Sequence, residues 1–295
     1  MIAVLTPANM VTGGPEALHQ LADSVARLGV DGGVLYWPCS NEPQVPAPYR
    51  HYQLRLPTRA DLKPGDTVVI PEIWPHLAME FPKQRCLLWW LSLDNFFAQG
   101  NALSRLPGIT GHLAQSYYAQ RHLAGQGIAS DLLCGYVNRA CRDAGAPREA
   151  VVVTNAIKAG EFLPRFRTLA PDIEVRPLSG LSASEVVHLL QRVMVYVDFG
   201  HHPGKDRMPR ESAACGAVVF TRNAGAASVY DDVPIDDVFR FDGDDQGLLV
   251  LAEKVRMVFG DFGAFAKRQD SYRCEIAGEK DEFDAQVAHL LRRTS

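Results

Sequence analysis

Between Val193 and Gly216 the chain reads VMVYVDFGHHPGKDRMPRESAACG, and this stretch restricts the possible folds more than any other. VMVYVDF is a short apolar run rich in β-branched residues, the signature of a buried strand. In GHHPGKD, Gly200, Pro203 and Gly204 break regular structure, so it reads as a loop. RMPRESAAC follows as a helix. Asp206 stands at its cap position, Pro209 is tolerated in the first turn, and Gly216 stops it. A strand, a loop and a helix start place free backbone N–H groups at the C-terminal edge of a sheet, where anions bind.

Lys205, Arg207 and Arg210 put three cations into the loop and first turn. Arg207 and Arg210, three apart, share a helix face, and Glu211, four after Arg207, is in register to orient its guanidinium. Ser212, Ala213, Ala214 and Cys215 are small enough for the helix to lie close to its sheet.

PRESAACGAVV resembles the helix of retaining GT-B glycosyltransferases that usually reads P-x-x-E-A-x-A-x-G-x-P-V-V, and DFGHHPGKDRMPRE resembles a divergent bacterial branch of that group. The resemblance implies two Rossmann-like domains facing across a cleft and transfer of a sugar from a nucleotide diphosphate-sugar, with retention. Glu211 stands where the family's glutamate contacts the donor ribose. Arg207 and Glu211 are the implied catalytic pair, and His202, Lys205 and Arg210 the implied donor-binding residues. The family usually carries another glutamate eight residues before the first; here that position is Pro203. That departure keeps a second class open, a GT-B-like protein that binds nucleotide or glycan without turnover, beside a third, a nucleotide-sugar epimerase of the same shape.

The rest of the chain repeats the alternation of strand and helix. MIAVLTP is a strand, PEALHQLADSVARLG an amphipathic helix with Leu18, Leu21, Val25 and Leu28 at helical spacing, and GVLYW a second strand. Gly13 and Gly14 precede that helix where backbone comes close to a neighbour, and the resemblance makes them a diphosphate or acceptor contact, grouped with the donor-binding residues. Glu16 follows in the first turn. DTVVIPE is a strand whose end carries Glu72, Trp74 and His76. RCLLWWLSLDNFF reads as another. Its two tryptophans are expected to pack in a core, and Asp94 and Asn95 to fall at its C-terminal end, facing the crevice. Asp94 is therefore the acceptor-side catalytic candidate. In HLAQSYYAQRHLAGQG a strand and a helix meet at Ser116, with His112 and His122 structural.

CRDAGAPREA marks a boundary, giving an acceptor-side domain over 1–147 and a donor domain over 148–295, the last helix crossing back to the first. EAVVVTN restarts the alternation, followed by a loop NAIKAGE. The resemblance assigns Lys158 to the donor phosphates and Asn155 to the same loop. Ser182 and Glu185 form a capping box, and NAGAAS lets backbone approach a ligand.

The 295 residues carry 47% hydrophobic and 22% charged residues and a net charge of −4, enough apolar material for two soluble domains. An acidic balance argues against a nucleic-acid partner. Six cysteines without a CxxC pair read as reduced core residues of a cytoplasmic protein. The longest apolar run, CLLWWLSL, is too short to span a bilayer, which leaves room only for peripheral membrane contact. The expected partners are a nucleotide-sugar donor and a glycan, lipid-linked or small-molecule acceptor, with no metal or other cofactor required. No G-x-G-x-x-G follows a strand, which disfavours a dinucleotide oxidoreductase.

Overall fold

The structure is a computed structural model that describes residues 1–38, 43–138 and 140–294; Cys39 lies outside the described residues. The chain divides into two compact units, each built on its own all-parallel sheet.

The first unit comprises Met1–Tyr136, Pro203–Lys205 and the chain from Lys280 onward. Its elements are β1 (Ile2–Pro7), α1 (Gly13–Arg27), β2 (Gly32–Trp37), β3 (Thr67–Pro71), β4 (Arg85–Trp90), α2 (Leu93–Ala98), β5 (Ile109–Ala114), α3 (Tyr117–Gly125) and β6 (Asp131–Leu132). The strand order is β2-β1-β3-β4-β5-β6. Such strands are covered on both faces, which is why they read as continuous apolar runs.

Alternation along each strand divides the core in two. Val4, Leu87 and Trp89 join α1 on one face; Leu5, Leu88 and Trp90 join α2 and α3 on the other. The two tryptophans are both fully buried, as core residues should be, but adjacent in sequence they point to opposite faces. Trp89 stacks on Phe283, and Trp90 meets Phe96 at a tilt of 60°. Each indole N–H is satisfied, by the Leu133 carbonyl and by His112 Nδ1, both at 3.1 Å. His122 makes an edge contact with Phe97.

Two boundaries differ from the sequence reading. Gly13 and Gly14 form the first turn of α1 rather than a loop before it. Asp94 and Asn95 lie in the first turn of α2, because the strand ends at Trp90 and Ser92 starts a helix.

The second unit, Val137–His202 with Asp206–Glu279, continues with β7 (Glu149–Asn155), α4 (Ala156–Ala159), α5 (Phe162–Leu169), β8 (Val175–Leu178), α6 (Ala183–Leu190), β9 (Val193–Asp198), α7 (Arg207–Ala214), β10 (Val218–Arg222), β11 (Arg240–Phe241), α8 (Asp245–Gly260), α9 (Phe262–Lys267) and α10 (Asp270–Thr294). The loop expected at NAIKAGE contains the single turn α4. The strand order is β8-β7-β9-β10-β11. Val151–Val153, Val195–Val197 and Val218–Phe220 form the centre of one core, closed by α5, α8 and the start of α10. Ser182 and Glu185 make the expected capping box. Cys86, Cys134 and Cys215 are buried, Cys141 is half-buried and Cys274 exposed, all of them free thiols. Among the described residues, no helix is long and apolar enough to cross a membrane.

Candidate functional site

In an open parallel sheet, ligands bind beyond the C-terminal ends of the strands at the point where strand order reverses. In the second unit that point lies between β7 and β9. The loops leaving those strands are Asn155–Gly160 and Phe199–Asp206, the segments that the sequence singles out.

The two loops are fastened to each other. Asn155 Oδ1 accepts the backbone N–H groups of Ile157 at 3.0 Å and Lys158 at 3.1 Å, which starts α4. The Lys158 stem lies over Gly200, where a Cβ would come within 2.8 Å of Lys158 Cβ. The Lys158 ammonium forms an ion pair with Asp206. Asp206 stands at the cap position of α7, yet its side chain caps no helix N–H, because it turns to Lys158 instead.

Beneath these residues Asp198 ends β9. It is almost fully buried and accepts from Tyr196 Oη at 3.1 Å and Gly200 N–H at 2.9 Å. Burial alone would raise its pKa, but the neighbouring His202 and Lys158 outweigh that and hold the carboxyl down at about 2. His202 is fully buried. Its Nε2 lies 3.4 Å from Asp198 Oδ2 and 3.8 Å from Asp206 Oδ2, without a well-formed hydrogen bond at either ring nitrogen. The His202 carbonyl accepts from Ala226 N–H at 2.8 Å, which draws the NAGAAS segment alongside.

On α7, Arg207 Nη2 and Glu211 Oε1 pair at 2.7 Å, both side chains being partly accessible. Arg210 goes the other way. It is buried and donates from Nη1 to Glu279 Oε2 at 2.8 Å, and from Nε to the Asp206 carbonyl at 3.1 Å. The three cations of this unit's candidate site are thus each matched with a carboxylate: Lys158 with Asp206, Arg207 with Glu211 and Arg210 with Glu279. Lys205 is half-buried and falls in the first unit.

In the first unit strand order reverses between β1 and β3. The segments leaving those strands carry Gly13 and Gly14 on one side and Glu72 on the other. Tyr49 Oη donates to the Thr12 carbonyl at 3.1 Å, and Tyr52 Oη to Glu16 Oε1 at 2.6 Å, so the start of α1 is held by two tyrosines. Glu72 is a residue whose chemistry the sequence reading did not assign. Its Oε2 accepts Leu91 N–H at 3.1 Å, and burial pushes its carboxyl up to about 8 against that bond and others from backbone N–H groups. Its signal in the sequence is an acid directly after the apolar run TVVIP. Asp94, half-buried, accepts from Tyr118 Oη at 3.0 Å.

Two parallel sheets with these strand orders match solved structures over nearly the whole chain. This is the GT-B glycosyltransferase fold. HepE of Anabaena, solved with UDP and glucose, is 12% identical, with 99% of each chain covered and a TM-score of 0.74. Sucrose-phosphate synthase of Thermosynechococcus elongatus is also 12% identical, covering 99% of this chain and 98% of its own, at a TM-score of 0.70. WaaG, a glycosyltransferase involved in lipopolysaccharide biosynthesis, is 11% identical over 97% of this chain and 99% of its own, at 0.60. No protein-family model matches the chain, and no curated protein matches it in sequence. At such identities the likeness to GT-B structures is one of fold.

Proposed function

We propose that this protein is a glycosyltransferase that takes a sugar from a nucleotide diphosphate-sugar, with UDP as the nucleotide to test first, and moves it with retention to a glycan, lipid-linked or small-molecule acceptor. The observation that carries the reading is the meeting of Lys158 and the start of α7 at the reversal point of the second sheet. That place combines a helix N-terminus with cations, and HepE, of the same fold, has been solved with UDP-glucose.

In this reading Lys158, Arg207 and the amides at the start of α7 take the diphosphate, as charge develops on it when the glycosidic bond breaks. Phosphate competes with Asp206 for the Lys158 ammonium. Glu211 holds Arg207 in place and accepts from the ribose. Arg210, tied to Glu279, fixes α7 and its amides. Asn155 and His202 shape the two loops; within the first unit, Gly13, Gly14 and Lys205 are the other donor-side candidates and Asp94 the acceptor-side one. A second reading, nucleotide binding without turnover, is favoured by Pro203 at the position of the family's other glutamate.

Thermal unfolding with UDP, uridine and UDP-sugars tests the proposal. UDP at about 100 times its dissociation constant stabilises by about 2.7 kcal/mol, whereas uridine, lacking the charge, does little. Release of UDP from a UDP-sugar in the presence of acceptor separates transfer from mere binding. Equal stabilisation by uridine and UDP would overturn the phosphate site.

A further inference from the structure

The buried cluster at the end of β9 carries more than the donor reading uses. Asp198, His202 and Asp206 are spaced four apart, and one ligand atom of each lies within 4.8 Å of the other two. His202 Nε2 is 3.4 Å from one carboxylate and 3.8 Å from the other. A tetrahedral zinc ion with bonds of about 2.0–2.2 Å sets its ligands about 3.3–3.6 Å apart, so both separations are already close to those of a bound ion. The imidazole is fully buried, with Nε2 3.4 Å from Asp198 Oδ2 and no well-formed hydrogen bond at either ring nitrogen, and a buried polar atom so weakly partnered is costly. An ion at Nε2 removes part of that cost.

We propose that Asp198 Oδ2, His202 Nε2 and Asp206 Oδ2 form a site for a divalent transition metal of the Zn²⁺ type, in competition with the Lys158 ammonium for Asp206. The inference does not rest on the glycosyltransferase reading.

Charge supports it. Asp198 and Asp206 bring two negative charges and Lys158 returns one, leaving a formal charge of −1 when the imidazole is neutral. A dication bound to both carboxylates brings the site to zero and releases Lys158. The Lys158 side chain is 31% exposed, so its ammonium has a route to water. One imidazole and two carboxylates suit Zn²⁺, Co²⁺ or Mn²⁺; Mg²⁺ and Ca²⁺ demand more oxygen ligands than the cluster offers. Because the metal enters by exchange with an ammonium, Lys158 is the element that weakens its binding.

The test uses the full chain, stripped with a chelator, then titrated with Zn²⁺ or Co²⁺ alone and analysed for metal after desalting. The expected result is one equivalent of Zn²⁺, with a Co²⁺ visible spectrum of tetrahedral intensity and no thiolate charge-transfer band. Asp198→Asn and His202→Asn, checked for folding by circular dichroism, each weaken binding by about tenfold or more. Lys158→Gln strengthens it by about tenfold, an arm that decides the matter even where the ligand variants do not fold. Four outcomes overturn the site: no stoichiometric uptake by the parent, uptake unchanged in both folded ligand variants, no gain in Lys158→Gln, or a thiolate band, which would place the metal on the adjoining thiols of Cys141 and Cys215.

Discussion

Arg210 and Glu279 form a buried ion pair at 2.8 Å, and the same Glu279 oxygen accepts Val137 N–H at 3.1 Å. One carboxylate therefore ties α7 and α10 to the residue at which the second unit begins. Burial works against the Arg210 charge, and Glu279 restores it. Breaking such a pair leaves a lone buried charge, at a cost of about 3–5 kcal/mol. Arg210→Ala and Glu279→Ala should each cost that much in urea unfolding. Arg210→Met combined with Glu279→Leu should cost less than the sum. A folded Arg210→Ala protein of parental stability that no longer binds UDP would reverse the assignment and make Arg210 a ligand.

That pair shows where sequence reading stops. Arg210 and Glu211 are neighbours, and nothing in RMPRESAA separates a buried guanidinium from one near the surface. The distinction depends on Glu279, 69 residues away. The partner of Lys158 is hidden in the same way: Asp206 reads as a helix cap, and only the approach of the β7 and β9 loops gives it a cation. The strands were legible because parallel sheets demand unbroken apolar runs. The helix start at Ser92 was not, since LSLDNFF continues the apolar run past the strand's end at Trp90. Trp89 and Trp90 read as core, but their division between two faces follows from the strand's period of two, which an unbroken apolar run conceals.

Glu72 gives a prediction with a defined pH range. Burial raises its carboxyl from 4.5 to about 8, so the folded state holds this proton more tightly than the unfolded chain does. A raised pKa contributes stability that is fully present below pH 4.5 and lost as pH rises through 8. The total is about 5 kcal/mol. Glu72→Gln, which retains an oxygen for Leu91 N–H, should flatten this dependence and be more stable than the parent at pH 9. Parallel stability curves for the two proteins between pH 5 and pH 9 would show that Glu72 titrates normally.

Gly225 has φ +61°, and a Cβ there would come within 2.1 Å of the His202 carbonyl oxygen. Neither the dihedral nor the space admits a side chain. Gly225→Ala should cost about 1–3 kcal/mol from backbone strain alone, with more from the clash. Because the His202 carbonyl receives Ala226 N–H, amide exchange at Ala226 should accelerate before global unfolding. Unchanged exchange and melting in the variant would mean that the segment adopts another path.

For Asp94 the expected effect is kinetic. Tyr118 Oη donates to its carboxylate at 3.0 Å, fixing the side chain at the start of α2. A positioned base or acceptor contact is worth about 10²–10⁴-fold. Asp94→Asn should lower sugar transfer by that range while UDP binding is unchanged; Tyr118→Phe should lower it less. If Asp94→Asn weakens UDP binding in proportion to transfer, its role is structural.

Glu211 and Arg207 lie one helical turn apart at 2.7 Å, and their proposed tasks differ: Arg207 meets phosphate, Glu211 meets ribose and steadies Arg207. Inorganic pyrophosphate and UDP separate the two. Arg207→Ala should weaken both ligands, because both present the same charge. Glu211→Ala removes one charge-assisted hydrogen bond, worth about 1.5–3 kcal/mol, so UDP should bind about ten- to a hundredfold more weakly. Pyrophosphate should lose less, through the freed Arg207 side chain alone. The pair itself is partly exposed, so neither substitution should unfold the protein, and melting of the ligand-free variants checks this. Equal losses for UDP and pyrophosphate in Glu211→Ala would leave the ribose without a partner in Glu211 and reduce that residue to a clamp on Arg207.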